Sequence, residues 1–273
     1  MNKLFSLKDK NVIVTGALGL LGREHVKAIA KFGGSPILID LDQKLVDQFA
    51  KEISKNYNVD CYGFKVDITN ENEVLNNLKK LKNKINQLDG LVNNAANNPK
   101  VENNSNEFNR LESFPLASWD SDINVSLKGS FLCAKHYGAF ISKNPNGGSI
   151  INISSDLGLI APNQNIYKKE GLDDGKQMVK PITYSIVKHG IVGLTKYLST
   201  YWADRDVRCN AICPGGVING QDEEFLAKIN SQIPLGRMAN KDEYQGLIIF
   251  LLSNASSYIN GSIIAADGGR SVW

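Results

Sequence analysis

The chain is short of several things, and each shortage removes a class of function. Its 273 residues hold four cysteines, Cys61, Cys133, Cys209 and Cys213, with no CxxC and no cysteine–histidine cluster. That argues against a structural metal and against a disulfide framework, and it fits a reducing, cytoplasmic compartment. Cys209 and Cys213 lie four apart in RCNAICPGG, a buried strand by its composition, so both thiols face one side as packing groups. The three histidines, His25, His136 and His189, lack metal-ligand spacing. Charge of one sign is scarce too. With 31 basic and 28 acidic residues the net charge is only +3, too balanced to argue for nucleic acid or an anionic membrane as partner. The longest apolar run, LIIFLL at 247–252, is far too short to span a bilayer. MNKLFSLKDK has no apolar core of a secretion signal, so none is expected. Internal repeats and Pro/Gly/Ser-rich linkers are absent as well.

What is present is alternation. NVIVTG (11–16) reads as a buried strand, a helical pattern runs from about Leu20 to Phe32, and SPILID (35–40) is the next strand. Helix 42–55, strand 60–66, helix 71–85 and the strand-to-loop LDGLVNNAA (88–96) follow. A long helix is expected over 117–141, a strand over 147–155, a second long helix over 182–203, then the strand VRCNAICPGG, helix 240–252 and strand GSIIAAD (261–267). Strands that are continuously apolar are covered on both faces and therefore parallel. Right-handed crossovers then give one fold class: a single-domain, Rossmann-type, doubly wound parallel α/β sheet with helices on both faces. The cofactor half would span about 7–155. Two polar stretches, Asn97–Phe114 and Ile160–Pro181, and a loop at 214–235 belong to the substrate side.

The first strand–helix junction is TGALGLLG, residues 15–22. Glycines permit a tight turn, close approach of backbone to a pyrophosphate and close helix–strand packing. The helix start beyond them offers free N–H groups. Gly16, Gly19, Leu20, Leu21 and Gly22 are therefore the candidate dinucleotide cradle. The plainer alternative is a turn plus a packing glycine. Asp40 ends the second strand about 20 residues on, where an acidic side chain accepts from the adenosine ribose hydroxyls and repels a 2′-phosphate. With Leu41 and Asp42 next in line, NAD is expected over NADP. Arg23, at the helix start, could still approach a phosphate. Asp40 could instead cap helix 42–55, a role Asp42 could also fill.

Tyr184 and Lys188 are four residues apart in ITYSIVKHG and share one helix face. A neighbouring ammonium favours the phenolate and should pull the Tyr184 pKa down. Such a pair can pass a proton to or from a substrate oxygen. By itself the spacing is weak, since an exposed Lys can simply pack on a Tyr.

The whole ordered set is more specific. TGALGLLG, VD at 66–67, NNAA at 93–96, Asn124 in INVSLKG, ISS at 153–155, Tyr184/Lys188, PGGV at 214–217 and DGG at 267–269 together resemble the classical short-chain dehydrogenases/reductases, from about residue 7 to 273. The resemblance implies that Asp67, with Ile68 after it, contacts the adenine ring. Asn93 and Ala95 would shape the floor of the cofactor cleft. Asn124 would kink its helix and hold a relay water. Ser155 would bond the substrate oxygen, Tyr184 would be the general acid/base, and Lys188 would bind the nicotinamide ribose. Pro214, Gly215 and Val217 would lie along the carboxamide.

Three departures stand out. Gly19 comes one position early for TGxxxGxG, a spacing shared with the extended branch of the family. Asn219 replaces a Thr common after PGxV. And 28 residues separate Ser155 from Tyr184, a surplus that could wall the substrate pocket, meet a neighbouring subunit or form a surface loop. The chain with this insertion also resembles oxidoreductases of bacterial surface-sugar and flagellin-modification clusters. A sugar or sugar phosphate is accordingly the expected substrate. A 3-oxoacyl thioester reductase and a non-catalytic NAD-binding regulator are the alternatives. Apolar residues on more than one face of the two long helices (Phe131, Leu132, Phe140; Ile191, Leu194, Tyr197, Leu198) predict a subunit interface, and the resemblance implies a homodimer or homotetramer.

Overall fold

The computed structural model describes residues 3–97 and 110–273. Of the polar stretch Asn97–Phe114, residues 98–109 lie outside the described residues.

Seven strands form one parallel sheet: β1 (Asn11–Thr15), β2 (Ser35–Asp40), β3 (Tyr62–Lys65), β4 (Gly90–Asn93), β5 (Gly148–Ile153), β6 (Val207–Pro214) and β7 (Ile263–Ala266). Their spatial order is β3-β2-β1-β4-β5-β6-β7. The order reverses between β1 and β4, where the crossovers diverge to opposite sides and leave a crevice at the carboxyl ends of the strands.

Both sheet faces are covered, as continuous apolar strands require. On one face Ile13, Leu91, Ile150 and Cys209 meet α3 (Glu71–Lys82), α4 (116–141) and α5 (Ile182–Tyr201). On the other, Val12, Val14, Val92 and Ile151 meet α1 (Leu20–Lys31), α2 (Gln43–Tyr57) and α7 (Gln245–Leu252). Alternate residues of β1 thus enter different cores, a direct reading of the period-two strand geometry. Asp42, not Asp40, caps α2, its carboxylate accepting from Leu45 N–H.

Three expectations need correcting. The helix foreseen at 240–252 begins only at Gln245; residues 241–244 form a turn closed by Glu243 N–H to Asn240 C=O and Gln245 N–H to Asp242 C=O. The polar run Lys241–Glu243 has no apolar stripe to bury, so it stays outside the helix. Helix α6 (Glu223–Asn230), capped by Asp222, lies within what reads as a loop at 214–235. And 116–141 is not a uniform α-helix: π-helical turns occupy Asn124–Lys128 and Ala134–Gly138.

The surplus between Ser155 and Tyr184 packs on α6. Ile166 joins Ile229, Ile233 and Met238 in a small apolar cluster of its own, and the Tyr167 and Phe225 rings sit 5.7 Å apart. Lys228 Nζ, one turn further along α6, donates to the Lys168 carbonyl. Segment 160–181 and α6 thus form one wall over the carboxyl ends of the strands.

Candidate active site

The glycine turn is built by close approach. Gly16 adopts φ +62°, a left-handed conformation, and a Cβ there would lie 2.9 Å from Ala95 Cα. A Cβ on Gly22 would lie 2.1 Å from the Gly16 carbonyl oxygen. No other residue type fits either position. Gly19 has φ −68° and serves as the N-cap of α1. Asn94 Nδ2 braces the turn, donating to the Thr15 and Gly16 carbonyls at 3.0 Å each.

Asp40 lies at the end of the cavity beside the glycine turn. Its two carboxylate oxygens accept from Leu18 N–H and Leu41 N–H, both at 2.8 Å, while the residue still lines the cavity. Arg23 is committed elsewhere: its Nε donates to the Leu18 carbonyl and its guanidinium lies over the Phe49 ring. Asp67 accepts from Thr69 N–H and Oγ1.

One cavity of about 840 Å³ joins these groups to the far end. It runs from Gly16, Gly19, Leu20, Leu21 and Asp40 past Asp67, Ile68 and Ala95 to Ser155, Tyr184 and Lys188, and then to Pro214, Gly215 and Val217. A glycine cradle, an acidic group at the ribose end and an elongated cleft fit a dinucleotide.

Three of the residues picked from sequence are placed elsewhere. Asn93 is buried in the sheet, and its Nδ2 donates to Asn152 Oδ1 on the adjacent strand, its register partner. The next residue, Asn94, lines the cavity in its stead. Gly22 packs behind the turn rather than in the cleft. Asn124 opens the first π-helical turn, while the following Val125 reaches the cavity. A π turn is a local widening of the helix, which is a physical form of the kink expected there.

At the reacting end, α5 starts after Pro181, whose fixed φ suits a helix entrance. Within its first turn, Tyr184 lines the cavity beside Ser155, whose hydroxyl favours the phenolate. Ser155 Oγ donates to Asp156 Oδ1 at 2.7 Å and accepts from Leu157 N–H. Asp156 is held in turn by a buried ion pair, Arg270 Nη1 to Oδ2 at 2.6 Å. Lys188 Nζ donates to the Ile153 carbonyl at 3.0 Å and lies 5.6 Å from the Tyr184 ring centre.

A second lysine, not foreseen from the sequence, faces the same ring. Lys180 Nζ lies 3.9 Å from the Tyr184 ring centre and lines the cavity. The spacing Lys180–Tyr184–Lys188 was visible as residues, but Pro181 separates Lys180 from the helix, so periodicity says nothing of its direction. Asp156 and Arg270 were likewise missed; they are 114 positions apart and meet only through the fold.

Burial governs the ionisation. Lys188 and Lys180 are each pushed down to about 8, by desolvation first and by a neighbouring cation second for Lys188. Tyr184 is raised above its ordinary value by burial, and the Ser155 hydroxyl only partly opposes this. The expected lowering by Lys188 is not met in the free chain: burial strips the phenolate of water, and the nearby Asp156 charge raises the pKa further. Among the described residues no group of three potential metal ligands converges.

Proton-transfer groups set at the end of a dinucleotide crevice suit hydride transfer at a carbonyl or alcohol carbon. Fold and site together define an NAD(P)-dependent oxidoreductase. The chain belongs to the short-chain dehydrogenase/reductase family: the family model described as short chain dehydrogenase matches residues 10–168, and one described as enoyl-(acyl carrier protein) reductase matches 174–271. The 3-oxoacyl-(acyl-carrier-protein) reductase FabG of Thermotoga maritima is 30% identical over 268 residues, covering 96% of this chain and 98% of that one. The NADP-dependent mannitol dehydrogenase of Hypocrea jecorina is 30% identical over 276 residues, 97% and 94% of the two chains. A post-translational flagellin modification protein A of Campylobacter coli is 25% identical over 266 residues, 96% and 98%. Among solved structures, a short-chain type dehydrogenase/reductase from Mycobacterium marinum superposes with a TM-score of 0.83 at 26% identity, covering 98% of this chain and 97% of that one.

When bound, the nicotinamide supplies or accepts the hydride. This chain's own residues manage the proton and the geometry. Tyr184 can give its hydroxyl proton to a forming alkoxide or take it from an alcohol, a step that typically contributes ~10²–10⁴-fold. Ser155 can join it as a second donor to the substrate oxygen once its hydroxyl turns from Asp156. The Arg270–Asp156 pair holds Ser155 from behind. Lys188, anchored on Ile153, adds positive charge beneath Tyr184.

Proposed function

We propose that the protein interconverts a carbonyl and a secondary alcohol on a sugar or sugar phosphate, using NAD, in a bacterial glycan-building route of the flagellin-modifying kind. The observation that carries the reaction is the convergence of Ser155, Tyr184 and Lys188 at the end of the cleft that begins at the glycine turn. The carbohydrate reading is supported by the wall that segment 160–181 and α6 form. Lys168, Lys169, Lys180, Gln221, Asp222, Glu224 and Lys228 line it beside the apolar Ile166, Tyr167, Met178, Phe225, Ile229 and Met238, and the polar members suit hydroxyl and ionic groups. The mannitol dehydrogenase and flagellin-modification relatives point the same way.

NAD is favoured by Asp40, whose carboxylate would oppose a 2′-phosphate, and by Arg23, whose guanidinium is engaged on Phe49 and Leu18. Homo-oligomerisation through α4 and α5 and residence in a reducing compartment, supported by four free thiols, belong to the same reading.

A second reading, reduction of 3-oxoacyl thioesters, is favoured by the FabG relative. One assay separates them. Purified protein is followed at the nicotinamide absorbance with NAD(H) and NADP(H) against hexitols, hexonates, sugar phosphates, nucleotide sugars and 3-oxoacyl thioesters. Turnover on a carbohydrate, faster with NAD(H), is expected. Turnover on thioesters alone would overturn the carbohydrate reading, and a preference for NADP(H) would overturn the assignment to Asp40.

A further inference from the structure

We propose that the segment between Ser155 and Tyr184 carries Lys180 into the cavity as the seat for an anionic group, a carboxylate or a phosphate, on the substrate. This rests on the carbohydrate reading above and narrows it to sugar acids or sugar phosphates.

Five cations line the reacting end of the cavity besides the exposed Lys168: Lys169, Lys180, Lys188, Lys228 and Arg270. Four are engaged. Lys169 pairs with Asp222 at 3.8 Å, Lys228 with Glu224, and Arg270 with Asp156; Lys188 donates to the Ile153 carbonyl. Lys180 is different. Its ammonium has no hydrogen bond and no ion pair among the described residues; only the face of Tyr184 meets it, 3.9 Å from the ring centre. Asp156, the nearest acid acting on it, already holds Arg270, Ser155 Oγ and Leu157 N–H.

A half-buried ammonium without a counter-ion carries a cost, and its placement in the cavity wall beside the Tyr184 ring is specific. The backbone on either side is fastened: Lys180 N–H donates to Gln164 Oε1, Met178 is buried, and Pro181 fixes the entry to α5. The held backbone aims the side chain at the reacting group. An ammonium stacked on the ring of the proton donor stands beside whatever carbon that donor serves. An anionic substituent near that carbon would complete the missing ion pair by a charge-assisted hydrogen bond.

Two experiments decide it. Calorimetric titration of the NADH-bound protein with malonate and with inorganic phosphate compares wild type, Lys180→Met and Lys180→Arg, with NADH affinity measured in each. At least one anion should bind wild type, weaken about 10- to 100-fold in Lys180→Met, and recover in Lys180→Arg while NADH binding stays constant. Malonate alone indicates a carboxylate substrate, phosphate alone a phosphorylated one. Equal binding to wild type and Lys180→Met, or binding of neither anion to wild type, overturns the proposal whatever the carbohydrate assay shows. In kinetics, the Lys180→Met loss in kcat/KM should be larger for hexonates or sugar phosphates than for the matching neutral hexitol. An equal loss on both, with a displaced pH profile, would assign Lys180 to the proton affinity of Tyr184 instead.

Discussion

Tyr184 stands between two lysines whose pKa values the surrounding protein lowers to about 8, and each member of the set makes its own prediction. Tyr184→Phe removes the exchangeable proton and leaves the ring. Turnover should fall at least ~10²-fold while NADH still binds, seen as unchanged fluorescence titration. Retained turnover would exclude Tyr184 from the proton step. Lys180 predicts a pH dependence of stability. Its folded pKa of about 8 lies below its ordinary 10.5, so between these values the unfolded chain holds the extra proton and stability contributed here rises with pH. Below about 8 the full burial cost is present. Lys180→Met should therefore raise the melting temperature at pH 7, and the gain should shrink as pH climbs from about 8 towards 10.5. A gain independent of pH would mean the ammonium is not held under strain. That Tyr184 and Lys188 share a helix face is legible from their spacing, and their pairing for chemistry only from the ordered set of motifs around them. Burial was not: the direction of the Tyr184 shift depends on how much water the tertiary structure removes, which no local pattern contains.

Among the elements, the glycine turn shows how spacing can mislead about which residue matters. TGALGLLG places three glycines, and the middle one has an unusual position for the classical branch. The geometry puts the greater demand on the outer two: an added Cβ would lie 2.9 Å from backbone at Gly16 and 2.1 Å at Gly22, against 3.2 Å at Gly19. Gly22→Ala should weaken NADH binding about tenfold or more, as the helix start is forced away from the turn, whereas Gly19→Ala should change it far less. Equal effects in a fluorescence titration would refute this division. Strands and the long helices were readable because their apolar periods are strong. Helix α6 and the late start of α7 were not. Eight-residue helices carry barely two turns of pattern, and their boundaries were set by the Asp222 cap and by the polar run Lys241–Glu243. Segment 160–181 reads as a polar loop, yet Ile166 and Tyr167 anchor it through contacts on α6, some 60 positions away.

At the scale of the whole molecule, α4 and α5 each have two faces. Leu132, Ile191 and Leu198 enter the core, while Phe131 is 51% and Tyr197 62% exposed. An outward apolar face on adjacent helices predicts self-association. Light scattering should give a dimer or tetramer, and Phe131→Glu with Tyr197→Glu should shift it to monomer; a monomeric wild type would refute the pairing. The sequence by itself determined the doubly wound sheet, the cofactor end and the Tyr184–Lys188 pair, because each rests on local periodicity or on contacts between near neighbours. Only the tertiary structure decided that Asn94 rather than Asn93 faces the cleft, that Arg270 crosses the chain to hold Asp156, and that Lys180 meets the Tyr184 ring. Those outcomes depend on which distant strands and loops converge, and on the low dielectric their convergence creates.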